Sequence, residues 1–474
     1  MHPRESTLSA AVGDTGLRAH VERIEQTLER VCFLNRALAN DDFDRALEEI
    51  GGSLPGFEVQ GFPSGSSVFD WRVPERWELR SATVRDPAGR VVIDAAAQPL
   101  HVVSYSLPKS GRVPRAELLE HLHSDPARPD VVPYRYAFYE RDWGLCCSER
   151  QKQSLDQEWY EVEIDAADVP GDLHVGELVL PGERSETILF VGHVDHAMQA
   201  NDGVLGALVL AELARLLAGR RSLTWTYRFL FVPERIGTIA WLSRSQELLP
   251  RILGGVVCEM PGVRGQSLSL QLSKWGDTKI DRVLQALLRE IDPAAPVLPC
   301  WKHVVNDDGF LNAPGVDLPV ASVSRSAPEG PFSHFPEYHS DRDTPERVDW
   351  KGVEETLSVL VRFCDVLERD RVPVPTYVGE PFLSKHGLWV DWRLDPGLNA
   401  ALEEICHGID GRQSLFDISA AVGLPFGQVA AFVEQMAAAG LVEWSPADRF
   451  YASTNSWDAR AARRLPEGAR QAGA

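Results

Sequence analysis

The feature that most constrains this chain is a regular exchange of apolar strand and helix beyond residue 175. Thr187–Val191 (TILFV) is an unbroken apolar run, as expected of a parallel strand buried on both faces. A helix over 203–218 follows, then strand Tyr227–Val232 (YRFLFV) and a helix from about Gly237. Next come strand GGVVCEM (254–260), a helix over 279–291, strand LPVASVS (318–324) and a long helix near 351–369. Strands alternating with helices predict an α/β fold, an open and mostly parallel sheet flanked by helices.

The regions on either side have different textures. Leu17, Val21, Ile24, Leu28, Val31 and Leu34 recur at helical spacing, so 1–55 reads as N-terminal helices joining the sheet domain. Over 56–170, short alternating segments such as WELRSATVRD, RVVIDAA and LHVVSYSL predict an inserted β-rich domain, dense in Trp and Tyr. The sheet domain is then 171–378. Helices at about 398–408, 414–421 and 426–439, followed by the ribbon LVEWSPADRFYAS, suggest a winged helix over 379–455 and a flexible tail over 456–474.

Charge narrows the partners. The 474 residues carry 69 acidic against 48 basic groups, a formal net of -21, which argues against nucleic acid or anionic membrane. Residues 399–453 hold only Arg412 and Arg449 against seven acids, so the winged helix suits packing or a homo-oligomer better than DNA. Seven scattered cysteines without a CxxC pair fit a reduced cytoplasm. The start of the sequence has no apolar leader, and the most apolar run, Val204–Leu217, is broken by Glu212 and Arg215, so no membrane span is expected.

Open α/β sheets bind ligands beyond the carboxyl ends of their strands. His193, Asp195, His196 and Asp202 follow TILFV, Glu234 follows YRFLFVP, and Glu259 closes GGVVCEM. His334, His339, Asp341 and Asp343 follow LPVASVS. Imidazole and carboxylate suit zinc, and a carboxylate free of the metal, such as Glu234, could act as general base. Asp195 could hold the second nitrogen of His193. Plainer readings stand beside these. Asn201-Asp202 is an ordinary helix cap, Glu234 could pair with Arg235 or Arg244, and the aromatic group Tyr134, Tyr136, Tyr139 and Trp143 could be core instead of a lid.

The strings HVDH…ANDGVLG, VPERIGTIAWLS, APGVDLPV and FPEYHSDRDTP, in that order, resemble the aminopeptidase-like branch of the zinc-dependent exopeptidases. That group includes bacterial dizinc aminopeptidases and glutaminyl cyclase. The likeness covers about residues 15–450, with the inserted β-rich domain and GEPFLSKHGLW at the head of the winged helix. It implies His193, Asp202 and His339 as metal ligands, Glu259 as a fourth, Glu234 as general base and Asp195 as the acid orienting His193. Asp307, in NDDGFLNAPG, matches an acid beside the site. Asp195, His196, Arg235, Asp307, Asp308 and Asp343 are its surrounding or substrate-contacting residues.

Departures matter too. Where better-known members have a second ligand glutamate the chain has Arg235, and a cation cannot ligate zinc, which implies one ion instead of two. Gly203 and Leu205 replace a usual asparagine and serine. The implied function is a zinc-dependent aminopeptidase-like hydrolase, cleaving an amide next to a free α-amine in a small peptide or amino-acid conjugate. The alternatives are zinc-assisted acyl transfer or cyclisation of the glutaminyl-cyclase type, and a non-catalytic binding or assembly protein.

Overall fold

Apolar alternation is realised as an eight-stranded sheet, numbered β1–β8 in chain order. The strands are β1 Phe57–Pro63, β2 Asp172–Leu180, β3 Thr187–His193, β4 Thr226–Val232, β5 Ile252–Glu259, β6 Ser269–Gln271, β7 Val297–Leu298 and β8 Val320–Ser324. The computed structural model describes residues 14–326 and 335–445. His334, the end of the expected β-ribbon and the tail from residue 456 lie outside the described residues.

Spatial order is β1-β2-β4-β3-β5-β8-β6-β7. The middle four strands, β4, β3, β5 and β8, are mutually parallel, while β1, β2 and β6 join antiparallel. Every residue of β3 and of β5 is buried, as a strand covered on both faces requires. Single-helix crossovers make two of the three connections between the parallel strands: α3 (Leu205–Ala218) from β3 to β4, and α4 (Ile236–Arg244) from β4 to β5. Helices α1 (Asp14–Val31) and α2 (Asp41–Gly51) precede the sheet, and the short α5 (Asp307–Leu311) lies between β7 and β8. Helix α3 can approach the sheet closely because Gly206 has no side chain; a Cβ there would lie 2.0 Å from the Cys258 carbonyl oxygen.

The region read as the insert divides on inspection. Its first strand, β1, belongs to the main sheet, paired with β2 from Phe57↔Leu178 to Pro63↔Asp172. A separate four-stranded antiparallel sheet follows, built from Arg76–Arg85, Val91–Asp94, Lys109–Pro114 and Trp159–Val169. Its buried Trp77, Val113 and Tyr160 share one continuous core with Leu189, Leu230 and Trp241 of the main sheet and α4. The insert is thereby packed on the sheet and not tethered beside it.

The chain forms two compact units, the first comprising 14–274 and 296–357. The second contains 275–295 and 358–445 and includes helices Lys279–Ile291, Pro396–Gly408, Leu415–Val422 and Phe426–Ala438. Helix Lys279–Ile291, read from sequence with the main sheet, falls in this second unit. Strand Val442–Trp444 pairs antiparallel with Pro373–Pro375, a partner that precedes the three C-terminal helices. Among the described residues, no helix is long and apolar enough to cross a membrane.

Candidate metal centre

Three strand ends meet where the parallel strands stop. His193 is the last residue of β3, Glu259 the last of β5, and Glu234 stands two residues past β4. Beyond β3 the chain does not run directly into α3. A π-type turn, Ala200–Val204, intervenes, and Asp202 within it is non-helical (φ −107°, ψ 77°). This turn is capped from outside. The Asp343 carboxylate accepts the backbone N–H of Asn201 and of Asp202, both at 3.0 Å. Asp202 therefore does not cap the helix, contrary to the plainer reading, and its carboxylate is left to face the histidines.

Around that carboxylate the geometry is close. His339 Nε2 lies 2.9 Å from Asp202 Oδ2, and His193 Nε2 lies 3.5 Å from Oδ1. His196 Nδ1 is 3.7 Å from the same Oδ1. His193, His196 and Asp202 each offer a ligand atom close enough to hold one metal ion. Both His193 nitrogens are buried without a hydrogen-bond partner among the described residues, and buried Asp202 Oδ2 and His339 Nε2 meet only each other, as an ion pair outside hydrogen-bond geometry. Buried polar atoms are rarely left so, and a convergent set of them fits a cation. Gly203 makes room for this: a Cβ there would lie 2.2 Å from His193 Nε2, so any larger residue would displace the ring.

Charge follows from the same contacts. Burial pushes the Asp202 carboxyl up, but His196, His193 and His339 outweigh it and hold it well below its ordinary value. Burial pulls His193 down, while Asp202 and Glu259 hold it up at about 9. Glu234 Oε2 is 3.0 Å from His196 Nε2; against burial, that imidazole keeps the glutamate ionised and its pKa low.

Other expected residues stand elsewhere. Asp195 does not orient His193; its Oδ1 accepts the Glu234 backbone N–H at 2.8 Å, because the chain has already turned away from the strand. Glu259 is the acid facing His193 Nδ1, at 3.9 Å, on the side of the ring away from Asp202. One ion held by Nε2 and Asp202 would not reach it in this arrangement, so Glu259 fits a role beside the metal better than as its fourth ligand. A second group of possible ligand atoms comprises His193, Glu259 and Asp307. Asp307 Oδ1 accepts the Arg235 N–H at 2.9 Å, its Oδ2 is buried without a partner among the described residues, and burial pushes it up to about 7. Asp308 is occupied by the Asn306 N–H and the Gln271 carboxamide. Arg235, half exposed, pairs with Glu234 as the plainer reading allowed, its Nε 3.5 Å from Glu234 Oε1, while its terminal nitrogen donates to the Val305 carbonyl oxygen at 2.8 Å.

Two residues escaped the sequence reading. Arg36, completely buried, donates to the carbonyl oxygens of Val31, Cys32, Val194, His196 and Gln199, clamping the loop that carries His196 to the end of α1. An arginine whose partners in the site loop lie roughly 160 positions away leaves no local signal of that contact. Asn306, which donates to Glu259 Oε2 at 2.9 Å, could have been suspected from its place beside Asp307. Backbone strain concentrates here too. Among the described non-glycine residues with positive φ are His196, Met198, Arg235, Met260 and His339, all in the site loops.

A model of a domain of unknown function, DUF4910, matches residues 25–370. The chain belongs to the DUF4910 family. A relative from Clostridium acetobutylicum, named as a candidate polysaccharide biosynthesis protein with an aminopeptidase-like domain, is 30% identical over 417 residues, covering 86% of this chain and 92% of its own. A crystal structure of a C. acetobutylicum protein named as a candidate peptidase superposes with a TM-score of 0.84 at 27% identity, over 91% of this chain and 99% of that one. A zinc aminopeptidase from Bacillus subtilis gives a TM-score of 0.56 at 15% identity, over 74% of this chain and 94% of that one, which is a likeness of fold. This DUF4910 member thus has the mostly parallel, helix-flanked sheet of the zinc-exopeptidase-like proteins.

Proposed function

We propose that the chain is a metal-dependent hydrolase that cleaves an amide bond next to a free α-amine, in a small peptide or amino-acid conjugate. The observation that carries this is the convergence of the buried His193 and His339 imidazoles on the Asp202 carboxylate, with both His193 nitrogens lacking hydrogen bonds among the described residues and Glu234 alongside. Zinc bound by those residues would polarise the scissile carbonyl and lower the pKa of a coordinated water. His196 lies near enough to be a fourth ligand through Nδ1, which would have to give up its hydrogen bond to the Asp202 carbonyl oxygen at 3.2 Å. With Arg235 turned to the rim, one ion is the reading best supported.

Glu234, held ionised by His196 and paired with Arg235, would accept a proton from water and return it to the leaving amine once substrate or metal loosens those pairs. Asp195 steadies that glutamate through its backbone, and Asp343 steadies the turn presenting Asp202. Glu259 and Asp307 each keep one oxygen without a hydrogen-bond partner among the described residues; a substrate ammonium there would displace the proton that burial favours and pair with the carboxylate. The acidic three-helix module, read as a winged helix, would serve packing or self-association.

The test is metal analysis of the purified protein followed by dipeptide hydrolysis after zinc loading. About one equivalent of zinc and release of both amino acids are expected. Protein without stoichiometric metal and without hydrolysis would overturn the reading. Ammonia from a glutaminyl peptide, with no second fragment, would assign cyclisation instead.

A further inference from the structure

Of the aromatic group read as lid or core, Trp143 stacks on His121 at 4.1 Å inside the insert, while Tyr136 and Tyr139 remain half exposed. Tyr134 is buried, its ring centred 5.2 Å from those of His196 and His339. The candidate metal ligands beside it are not equally held. His193 ends strand β3, where pairing with Val232 fixes its backbone. His339 lies in a run of turns over 336–339, at a positive φ of 48°. A side-chain-bearing residue is strained in that region and stays there only where its surroundings over-determine it.

Both peptide groups that flank the His339 Cα are held by the insert. On one side the Tyr338 carbonyl oxygen accepts from Arg128 Nη1 at 3.1 Å, and the same nitrogen donates to the Pro336 carbonyl oxygen at 2.8 Å. On the other side the His339 carbonyl oxygen accepts the Tyr134 N–H at 2.9 Å. The pairing continues past the histidine, where Asp341 and Val132 exchange two hydrogen bonds of 3.0 and 3.1 Å. Arg128 is itself aimed, since Asp125 Oδ2 accepts from its Nε at 2.7 Å. The two soft angles of His339 are rotations between those two planar peptide groups, so holding both sets the direction in which the imidazole leaves the backbone. That direction is what brings Nε2 to 2.9 Å from Asp202 Oδ2.

We infer that the insert is a positioning element of the metal centre, with Arg128 as the positioning residue for His339. Arg128 acts through the backbone: its two carbonyl acceptors lie 208 and 210 positions away, in the turns that carry the ligand. Holding the strained conformation before a metal arrives removes an ordering cost from binding. Groups that orient a ligand imidazole in this way typically matter 10–100-fold for metal affinity. The inference rests on the metal centre proposed above and not on the reaction assigned to it.

The experiment titrates the full-length, metal-stripped protein with zinc in competition with a chelating indicator. Wild type, Arg128→Ala, Arg128→Lys, His339→Ala and the Arg128→Ala/His339→Ala double variant are compared, with dipeptide hydrolysis measured in parallel. Hydrogen exchange of the 335–341 amides is followed in the metal-free protein. Arg128→Ala should weaken zinc binding roughly 10–100-fold and speed exchange in that segment. Arg128→Lys keeps a cationic donor and should recover most of the loss. With His339 already removed, Arg128→Ala should cost no further zinc affinity, because it acts through that ligand. An equal loss in both backgrounds is a general effect on stability and overturns the positioning role. Unchanged zinc affinity in Arg128→Ala overturns it too, and leaves the hydrolase standing where dipeptides are still cleaved. Weakened zinc binding in that variant, beside a wild type that cleaves no dipeptide, keeps the positioning role and overturns the hydrolase. A wild type that takes up no zinc overturns both.

Discussion

Glu212 and Glu259 are both buried glutamates of the first unit, yet they are built for opposite purposes. Glu212, on α3, is matched on both oxygens: His20 and Arg23 meet Oε2 at 2.6 and 2.9 Å, and Arg23 and Arg215 donate to Oε1 at 3.3 and 3.2 Å. Burial raises its pKa, but His20 and Arg23 more than reverse that. Glu259, at the end of β5, accepts one bond from Asn306 and keeps its other oxygen unpartnered among the described residues, so burial leaves its pKa well above normal. A buried carboxylate is therefore no sign of function by itself. The informative state is the half-matched one, which the fold tolerates only where something else completes it.

The largest expected effect tests whether that contrast separates chemistry from architecture. Glu234→Gln should lower kcat by roughly 10²–10⁴, an effect far larger than the shift in thermal midpoint from losing its pairing with His196. Glu212→Gln should do the reverse, keeping turnover and losing about 1–3 kcal/mol of stability in urea titrations. Loss of activity in the second variant and not the first would break the comparison.

Arg36 sharpens it from the other direction, being a buried cation whose donors all meet backbone oxygens. Arg36→Met keeps the bulk and removes the donors, and should cost about 3 kcal/mol because several buried carbonyls lose their partners. It should also weaken zinc binding, since His196 loses the hold on its carbonyl oxygen and on its positive φ. An unchanged denaturation midpoint would show that the clamp is dispensable.

The smallest effect is a pH slope of the metal-free protein. Burial pushes Asp307, Asp308 and Asp343 up to about 7, 6 and 7, and His193 is held up at about 9 despite burial. Each binds its proton more tightly folded than unfolded, so stability present at low pH is lost as pH rises through these values. Asp202 and Glu234, both depressed, stay ionised in either state over this window and add no slope. The thermal midpoint should fall from about pH 5 to about pH 9, and zinc should flatten the fall by favouring the deprotonated ligands. A midpoint that rises with pH would mean the half-matched groups are not protonated as described.

Much of this was legible in the residues. Strands β3, β4, β5 and β8 and the helices between them follow from apolar runs, since burial on both faces demands continuous hydrophobic sequence. His193, Glu234 and Glu259 could be placed at strand ends because strand period and length set where a sheet stops. What lay beyond sequence was the direction each side chain takes after the strand. Positive φ at His196, Arg235 and His339 turns those side chains in ways no periodicity encodes. It brings His196 beside Asp202, sends Arg235 to the Val305 carbonyl, and leaves Asp195 to hold the Glu234 amide. Sequence determined which residues reach the rim of the sheet; only the folded loops, clamped by Arg36 and Asp343 from distant parts of the chain, decided which of them face one another.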